Sequence, residues 1–408
     1  MASDISVPGQ PGLARLQPYP FQRLRTLLSG IQPPADPPPV PLSIGEPKHP
    51  VPRLIADALH DGIAESLGRY PASAGQPELR ESIATWLTRR FRLGDGGIEP
   101  ERQILPAAGT REALFGVTQA LLDPSDRPDV FMPNPFYQIY EGAALLAGGR
   151  PRLLNTDAES GLPGIEEIDE TEWARCGLIY LCTPGNPTGR IIPQAFWARL
   201  FQLQARHGFV IVADECYSEL YRDESQPPLG LLQACVADGR DDFEGCLIFH
   251  SLSKRSNVPG LRSGFIAGDA RLIEAFQAYR TYQGCALPLH VQKASIAAWS
   301  DESHVYANRE AYREKFRSAR TILADVAPYR EPEAGFYIWL PVPGGDDEAF
   351  TRRLYAATGI TVLPGRYLSR PTAEGDPGAG HVRMALVADT AVCEDAMRRI
   401  REFIELSN

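Results

Sequence analysis

Short apolar runs and helical stretches take turns along most of this chain. The clearest helical period lies in Pro77–Phe91, where Leu79, Ile83, Trp86 and Leu87 fall at i, i+4, i+7 and i+8 on one face. Residues 52–67 predict a helix before it, and the loop 69–75 joins the two. From residue 104 onward, apolar runs of strand length recur at 104–107, 129–132, 178–182, 209–213, 246–249 and 264–267. Between them the pattern predicts helices over 111–122, from Tyr137 onward, and around Phe196, Leu200 and Leu203. Strands alternating with helices imply a mostly parallel sheet covered on both faces. In such sheets ligands sit outside the carboxyl ends of the strands.

After about residue 292 the character changes. A long charged helix is predicted over Ser303–Leu323, then an apolar run at 335–340, a helix over 348–358, apolar residues 360–363, a Gly/Pro-rich loop, a strand over 382–387 and a final helix over 393–406. This reads as a second, smaller α+β domain. The first fifty residues hold an aromatic turn, Tyr19-Pro20-Phe21, a short amphipathic helix and a proline-dense, extended stretch at 31–41. The expected division is an N-terminal segment (1–52) packing with the small domain, a large domain (53–291) and the small domain (292–408).

Composition narrows the class. Hydrophobic residues make up 43% of the 408, which supports packed cores and argues against disorder. The net charge of −10, with no basic block, argues against nucleic acid or an anionic membrane as partner. Seven cysteines at irregular spacing make neither a disulfide framework nor a metal motif, so no metal is expected and a reducing cytoplasm fits. Residues 1–12 lack the apolar core of a signal peptide, and no run is long enough to span a bilayer.

The chemistry centres on Lys254. The chain has four lysines (Lys48, Lys254, Lys293 and Lys315), and nearly all its other positive charge is arginine. A lysine amine can lose its proton and form a Schiff base with an aldehyde, which a guanidinium cannot do. Lys254 follows an apolar strand, with Ser251 and Ser253 before it and Arg262 eight positions on. Two hydroxyls and a guanidinium suit a phosphate, and the aldehyde cofactor that carries a phosphate is pyridoxal phosphate. Asp214 ends the run FVIVAD, where a buried carboxylate needs a cationic partner such as a protonated pyridine nitrogen. Tyr217 can point a phenol the same way, and Asn186, in Gly-Asn-Pro-Thr-Gly, can offer an amide. Gly109-Thr110 opens a helix whose free N–H groups favour a phosphate. Singly, Asp214 can be a helix cap, residues 186–189 a turn and Gly109-Thr110 a capping site; jointly they meet the needs of one cofactor.

These motifs resemble the fold-type I pyridoxal-phosphate enzymes, the aspartate aminotransferase-like class I/II aminotransferases. The likeness covers nearly the whole chain: Gly45-Glu46-Pro47, Tyr70 with Gly75, Gly109-Thr110, the 135–140 motif PFYQIY, Asn186-Pro187-Thr188-Gly189, Asp214-Glu215-x-Tyr217, Ser251-x-Ser253-Lys254 with Gly260-x-Arg262-x-Gly264, Leu363-Pro364-Gly365, and Arg383. The resemblance implies an α/β fold with a mostly parallel seven-stranded central sheet and a smaller α+β domain. It implies that Lys254 carries pyridoxal 5'-phosphate and serves as the general base, that Asp214 pairs with the ring nitrogen, and that Asn186 and Tyr217 bond the phenolic oxygen. Tyr137 would stack on the ring. Gly109, Thr110, Ser251 and Arg262 would bind the phosphate, with Tyr70 of a second subunit reaching it in a homodimer with shared sites. Arg383, with Gly45 and Asn186, would take the substrate α-carboxylate.

The sequence departs from the family at Gly365-Arg366-Tyr367-Leu368, where many relatives have a small residue and an aromatic, and at Thr110-Arg111 in the phosphate loop. Residues 16–24 (LQPYPFQRL), AGTREALF and the tail LPGRYLSR…PGAGHVRMALV resemble bacterial N-succinyldiaminopimelate aminotransferases of lysine biosynthesis. These move the amino group of glutamate onto N-succinyl-2-amino-6-oxopimelate. Both substrates are anionic far from the reacting carbon, so a further cationic group is expected, with Arg366, Arg370 and the Arg23/Arg25 pair as candidates. The competing readings are an aspartate, aromatic or LL-diaminopimelate aminotransferase, a pyridoxal-phosphate C–S lyase, and a non-enzymatic regulator. The last lacks a DNA-binding module in this sequence.

Overall fold

The structure is a computed structural model that describes residues 9–94, 96–284, 286–326 and 328–407; residues 1–8 of the polar N-terminal stretch lie outside the described residues. Seven strands form the central sheet: β1 (Ile104–Ala107), β2 (Asp129–Asn134), β3 (Arg150–Asn155), β4 (Cys176–Cys182), β5 (Val210–Asp214), β6 (Cys246–Ser251) and β7 (Gly264–Gly268). Their order is β1-β7-β6-β5-β4-β2-β3. Only β7 runs antiparallel to its neighbours; the other pairings are parallel.

Both faces are covered, and strand residues alternate between them. Val130, Leu178, Val212, Leu247 and Phe249 join one core with helices Thr110–Leu121, Gln138–Leu146 and Ala270–Gln283. Phe131, Ile179, Ile211, Ala213 and Ile248 join the other, with helices Pro77–Phe91, Gln194–His207, Leu231–Ala237 and Leu289–Ser300. This two-sided burial is why the central strands read as unbroken apolar runs. Edge strand β3, RPRLLN, buries only Leu154 and carries no such signal. The helix Leu289–Ser300 packs on Arg53–Ser66 and places Val291, Ala294, Ala298 and Trp299 in the large core. The boundary expected between 291 and 292 therefore cuts a continuous helix of the large unit.

The smaller unit has its own core, which includes Phe316, Ile338, Leu354, Met384 and Ile400. Its antiparallel sheet, β8 (Tyr337–Pro341), β9 (Leu363–Pro364) and β10 (His381–Ala385), has the order β9-β10-β8. The run 360–363 is split: Ile360–Thr361 pairs instead with Val40–Pro41, in parallel. Val40 and Leu42 of the N-terminal segment enter the small core. No helix among the described residues is long and apolar enough to cross a membrane.

Candidate active site

A cleft of about 490 Å³ opens at the carboxyl ends of β4, β5 and β6, which deliver Cys182, Asp214 and Ser251 to its floor. The N-terminal segment supplies Tyr19, Phe21, Ile44, Gly45 and Glu46, and the small unit supplies Tyr337, Leu368 and Arg383.

Lys254 lies in the single helical turn Leu252–Arg255 that follows β6. The Ser251 hydroxyl starts this turn by accepting from the Ser253 N–H at 3.1 Å, and Asn308 holds the Lys254 carbonyl from the small unit's long helix. The Lys254 amine donates to the Gly45 carbonyl at 2.6 Å and faces the Phe336 ring. Burial pushes its pKa down to about 8; Cys216 and Glu46 work against that shift, and Arg383 and Arg262 add to it. A nucleophilic amine is thus available near neutral pH.

Asp214 is 5% exposed. Its Oδ2 accepts from the Tyr140 hydroxyl at 2.7 Å and its Oδ1 from the Cys216 N–H at 3.3 Å. Burial holds its carboxyl above the usual range. Among the described residues no lysine, arginine or histidine forms a salt bridge with it. A buried carboxylate with hydrogen-bond donors but no cation is a site suited to a protonated ring nitrogen.

One wall forms a cradle for an anion. Gly109 has φ +91° and precedes the helix Thr110–Leu121, with Thr110 at its first position. A Cβ on Gly109 would lie 2.3 Å from the Arg262 guanidinium, so only glycine lets that side chain lie across the helix start. Arg262 is steadied by the Pro259 carbonyl at 2.8 Å and lines the cleft with Thr110, Ser251 and Ser253.

At the opposite end, Arg383 is 4% exposed. It donates to Asn186 Oδ1 at 2.9 Å and to the Ser43 carbonyl at 3.0 Å, packs 4.2 Å over the Tyr337 ring, and leaves its buried Nε unpartnered. Because Arg383 occupies the Asn186 carbonyl oxygen, the amide nitrogen is left for another partner. The Tyr217 and Tyr337 hydroxyls lie 3.3 Å apart, and burial, then Tyr337, raises the Tyr217 pKa.

Residues 37–400 match the family model for aminotransferases of class I and II. The chain belongs to the class I and II aminotransferases. An LL-diaminopimelate aminotransferase of Desulforudis audaxviator (strain MP104C) is 32% identical over 399 residues, 95% of this chain and 96% of the relative. An aminotransferase structure from Neisseria meningitidis Z2491 superposes with a TM-score of 0.93 at 50% identity, over 97% of this chain and 100% of that one. A probable N-succinyldiaminopimelate aminotransferase from Thermus thermophilus superposes with a TM-score of 0.82 at 26% identity, over 94% and 99%. The enzyme is therefore a pyridoxal-phosphate-dependent aminotransferase with the aspartate aminotransferase-like fold. The uncompensated Asp214 carboxylate, the Lys254 amine with its lowered pKa and the Gly109–Arg262 cradle fit that cofactor.

Of the residues singled out in the sequence, the aminotransferase brings Gly45, Thr110, Tyr137, Asn186, Asp214, Tyr217, Ser251, Lys254, Arg262 and Arg383 to one cleft, with Gly109 under Arg262. Tyr70 is fully exposed and does not line it. None of the arginines expected to meet a distal carboxylate lines the cleft. Arg366 is bound to the fully buried Asp347 at 2.6 Å and to Glu348 at 3.3 Å. Arg370 forms a two-pronged pair with Glu141 at 3.1 and 2.6 Å. Arg23 stacks 3.8 Å over the Tyr367 ring, and Arg25 does not line the cleft. Sequence reasoning missed Tyr140, Tyr337 and Cys216. The spacing of Tyr137 and Tyr140, one helical turn apart at a helix start, was the one signal available for Tyr140; Tyr337 stood unremarked in an apolar run.

Proposed function

We propose that this aminotransferase moves the amino group of glutamate onto N-succinyl-2-amino-6-oxopimelate, yielding 2-oxoglutarate and N-succinyl-LL-2,6-diaminopimelate in the diaminopimelate branch of lysine biosynthesis. One observation carries the choice. Two of the three segments that resemble the succinyl-specific enzymes, residues 16–24 and the tail, build one outer wall: Leu24 packs with Leu363, Tyr367 and Leu368, while Tyr19, Phe21 and Leu368 line the cleft. The residues by which that wall lines the cleft include no acid, the lining acids being Asp214 on the floor and Glu46. An unmodified diaminopimelate brings a second ammonium, which has no counter-charge there; a succinylated nitrogen is neutral. The LL-diaminopimelate reading is kept because relatives at about 30% identity carry that name.

Pyridoxal phosphate supplies an aldehyde that takes up the amine and a cationic ring that withdraws electrons from Cα. Lys254 anchors it and, once free, carries the proton away from Cα and back. Asp214 keeps the ring nitrogen protonated. Asn186 and Tyr217 bond the phenolic oxygen, and Tyr137 covers the ring. Gly109, Thr110, Ser251 and Arg262 hold the phosphate. Arg383 grips the α-carboxylate beside Gly45 and Asn186. Tyr70 completes the phosphate site of a second subunit in a cytoplasmic homodimer. Its exposure, with that of Val51, Ile63, Leu67 and Tyr282, supports such a surface. The domain division follows: an N-terminal segment to 52, a large domain continuing through the helix that ends at Ser300, and a small domain beyond.

The test runs the reaction in reverse, with 2-oxoglutarate as acceptor and N-succinyl-LL-diaminopimelate, LL-diaminopimelate, aspartate and phenylalanine as donors. The succinylated donor should give the highest kcat/KM. A preference for LL-diaminopimelate selects the second reading, and a preference for aspartate or phenylalanine overturns both.

A further inference from the structure

Of the four lysines, Lys315 is buried more deeply than Lys254 and has no part in the reading above; it is 1% exposed. Among the described residues its amine bonds no carboxylate. Its partner is Nε2 of His49, 2.6 Å away. Burial of an ammonium without an acid beside it costs stability unless the amine is otherwise well bonded.

From His49 the bonding runs in one direction. Asn308 Nδ2 donates to the Lys254 carbonyl at 3.1 Å and to the Arg255 carbonyl at 3.3 Å. The amide nitrogen therefore faces the turn Leu252–Arg255. Oδ1, which can only accept, faces Nδ1 of His49 at 2.7 Å. Nδ1 must then carry the proton, Nε2 of the neutral ring is an acceptor, and Lys315 is its donor. Ammonium, imidazole, amide and the backbone of Lys254 form one chain in which each link fixes the next. Asn308, Tyr312 and Lys315 share a face of helix Ser303–Leu323 at i, i+4 and i+7, and the Tyr312 ring packs 4.5 Å from that of His49. On the other side Asn257 donates to the His49 carbonyl and, at 3.3 Å, to that of Pro50. The N-terminal segment and the small unit are thus tied to the turn that carries Lys254.

We propose that His49 is a positioning residue for Lys254: the chain from Lys315 through His49 and Asn308 holds the lysine's turn, and it holds only while ammonium and imidazole share a single charge. A second proton would set two cations 2.6 Å apart and turn Nε2 from acceptor into donor, so Lys315 would have to leave. Burial, then Lys315, lowers the His49 pKa, against Asn308 and Asp389. Burial also lowers that of Lys315, against Cys393, Asp389 and Glu314. Because His49 takes its second proton less readily in the fold than in the unfolded chain, the stability it supplies is present above the ordinary imidazole pKa. It is lost as the pH falls from there to the lowered value. The inference rests on the reading above only in making Lys254 the lysine that carries the cofactor.

The experiment follows two signals of the holoenzyme from about pH 9 to about pH 5: hydrogen–deuterium exchange of the backbone amides of residues 252–257, corrected for the intrinsic effect of pH, and kcat with glutamate as donor. In the wild type protection and kcat should fall together on the acid side, reversibly and with one midpoint. His49→Phe, which keeps a flat ring and removes both bonds, should lose protection and about tenfold in kcat even at pH 8, with KM for glutamate held within about twofold. His49→Asn puts an N–H that cannot titrate where Nδ1 stands; it should keep kcat at pH 8 and abolish the shared acid loss. Lys315→Met removes the cation that opposes protonation of the ring and should move the midpoint up by roughly one pH unit. A midpoint unmoved in both His49→Asn and Lys315→Met overturns the proposal, as does a wild type that keeps full protection to about pH 5. So does a His49→Phe enzyme with wild-type protection and kcat; if that variant fails to fold, the other two decide. If borohydride labels a lysine other than Lys254, the cofactor reading fails, while exchange in the turn still tests the chain from Lys315.

Discussion

The Lys254 amine lies 2.6 Å from the carbonyl oxygen of Gly45. The amine at the end of the central sheet is thus held by backbone of the N-terminal segment. Gly45 is fixed in turn, because a Cβ there would sit 2.0 Å from the Tyr337 hydroxyl. Three stretches far apart in sequence therefore set the position and surroundings of one amine.

That amine should titrate near its lowered value. A lysine reacts with an aldehyde only when neutral, so the rate of cofactor capture by the cofactor-free enzyme should rise with pH and level off above about 8. Stopped-flow absorbance measures this rate; a rise continuing toward pH 10 would contradict the buried setting. Borohydride should fix the chromophore to Lys254. Lys254→Ala should bind the cofactor without a covalent bond and lose about 10²–10⁴-fold in turnover as the general base is removed.

Asp214 should destabilise the cofactor-free protein. Its pKa is raised by burial, so its contribution to stability is fully present below the ordinary carboxylate pKa and is lost as the pH rises through the raised value. At neutral pH Asp214→Asn should leave the melting temperature of the cofactor-free protein unchanged or higher. It should also shrink the increase that cofactor brings and lower turnover by about 10²–10³-fold. A less stable variant that keeps the full cofactor increment would refute the pairing with the ring nitrogen.

Arg383→Lys should be costly although charge is kept. The guanidinium reaches Asn186 and Ser43 and still has an unpartnered buried Nε, a geometry an ammonium cannot reproduce. The expected loss in kcat/KM is about ten- to a hundredfold for every amino donor, because all carry the α-carboxylate. Steady-state kinetics with glutamate and alanine check this; a loss confined to one donor would place the α-carboxylate elsewhere.

Arg370→Ala should be a stability variant. Breaking its two-pronged pair strands Glu141, which is mostly buried, at a cost of about 1–3 kcal/mol. Denaturant unfolding should show that loss, while discrimination between succinylated and free donors stays as in the wild type. Altered discrimination without lost stability would restore Arg370 as a substrate contact.

Tyr70 should act across subunits. Mixing Tyr70→Phe with Lys254→Ala subunits should recover activity, since some hybrid dimers hold one site with neither lesion. An active monomer in sedimentation at assay concentration would end the shared-site reading.

Much of the architecture is determined by local pattern. The apolar runs at 178–182, 209–213 and 246–249 mark the central strands because both of their faces are buried, and Asn186, Asp214 and Lys254 follow those strands in covalent order. Edge strand β3 escaped notice because it is half solvated, and the run 360–363 could not reveal that its two halves pair in different sheets. The arginines show the deeper limit. In sequence Arg111, Arg366 and Arg370 are equivalent charges on loops or helix starts. Only the tertiary structure brings Asp347 to Arg366 and Glu141 to Arg370 while giving Arg111 two phenols and an open cleft. Periodicity along the chain encodes which face of an element is buried. Whether a charge is neutralised depends on which partner long-range packing brings within about 3 Å, and no local pattern records that.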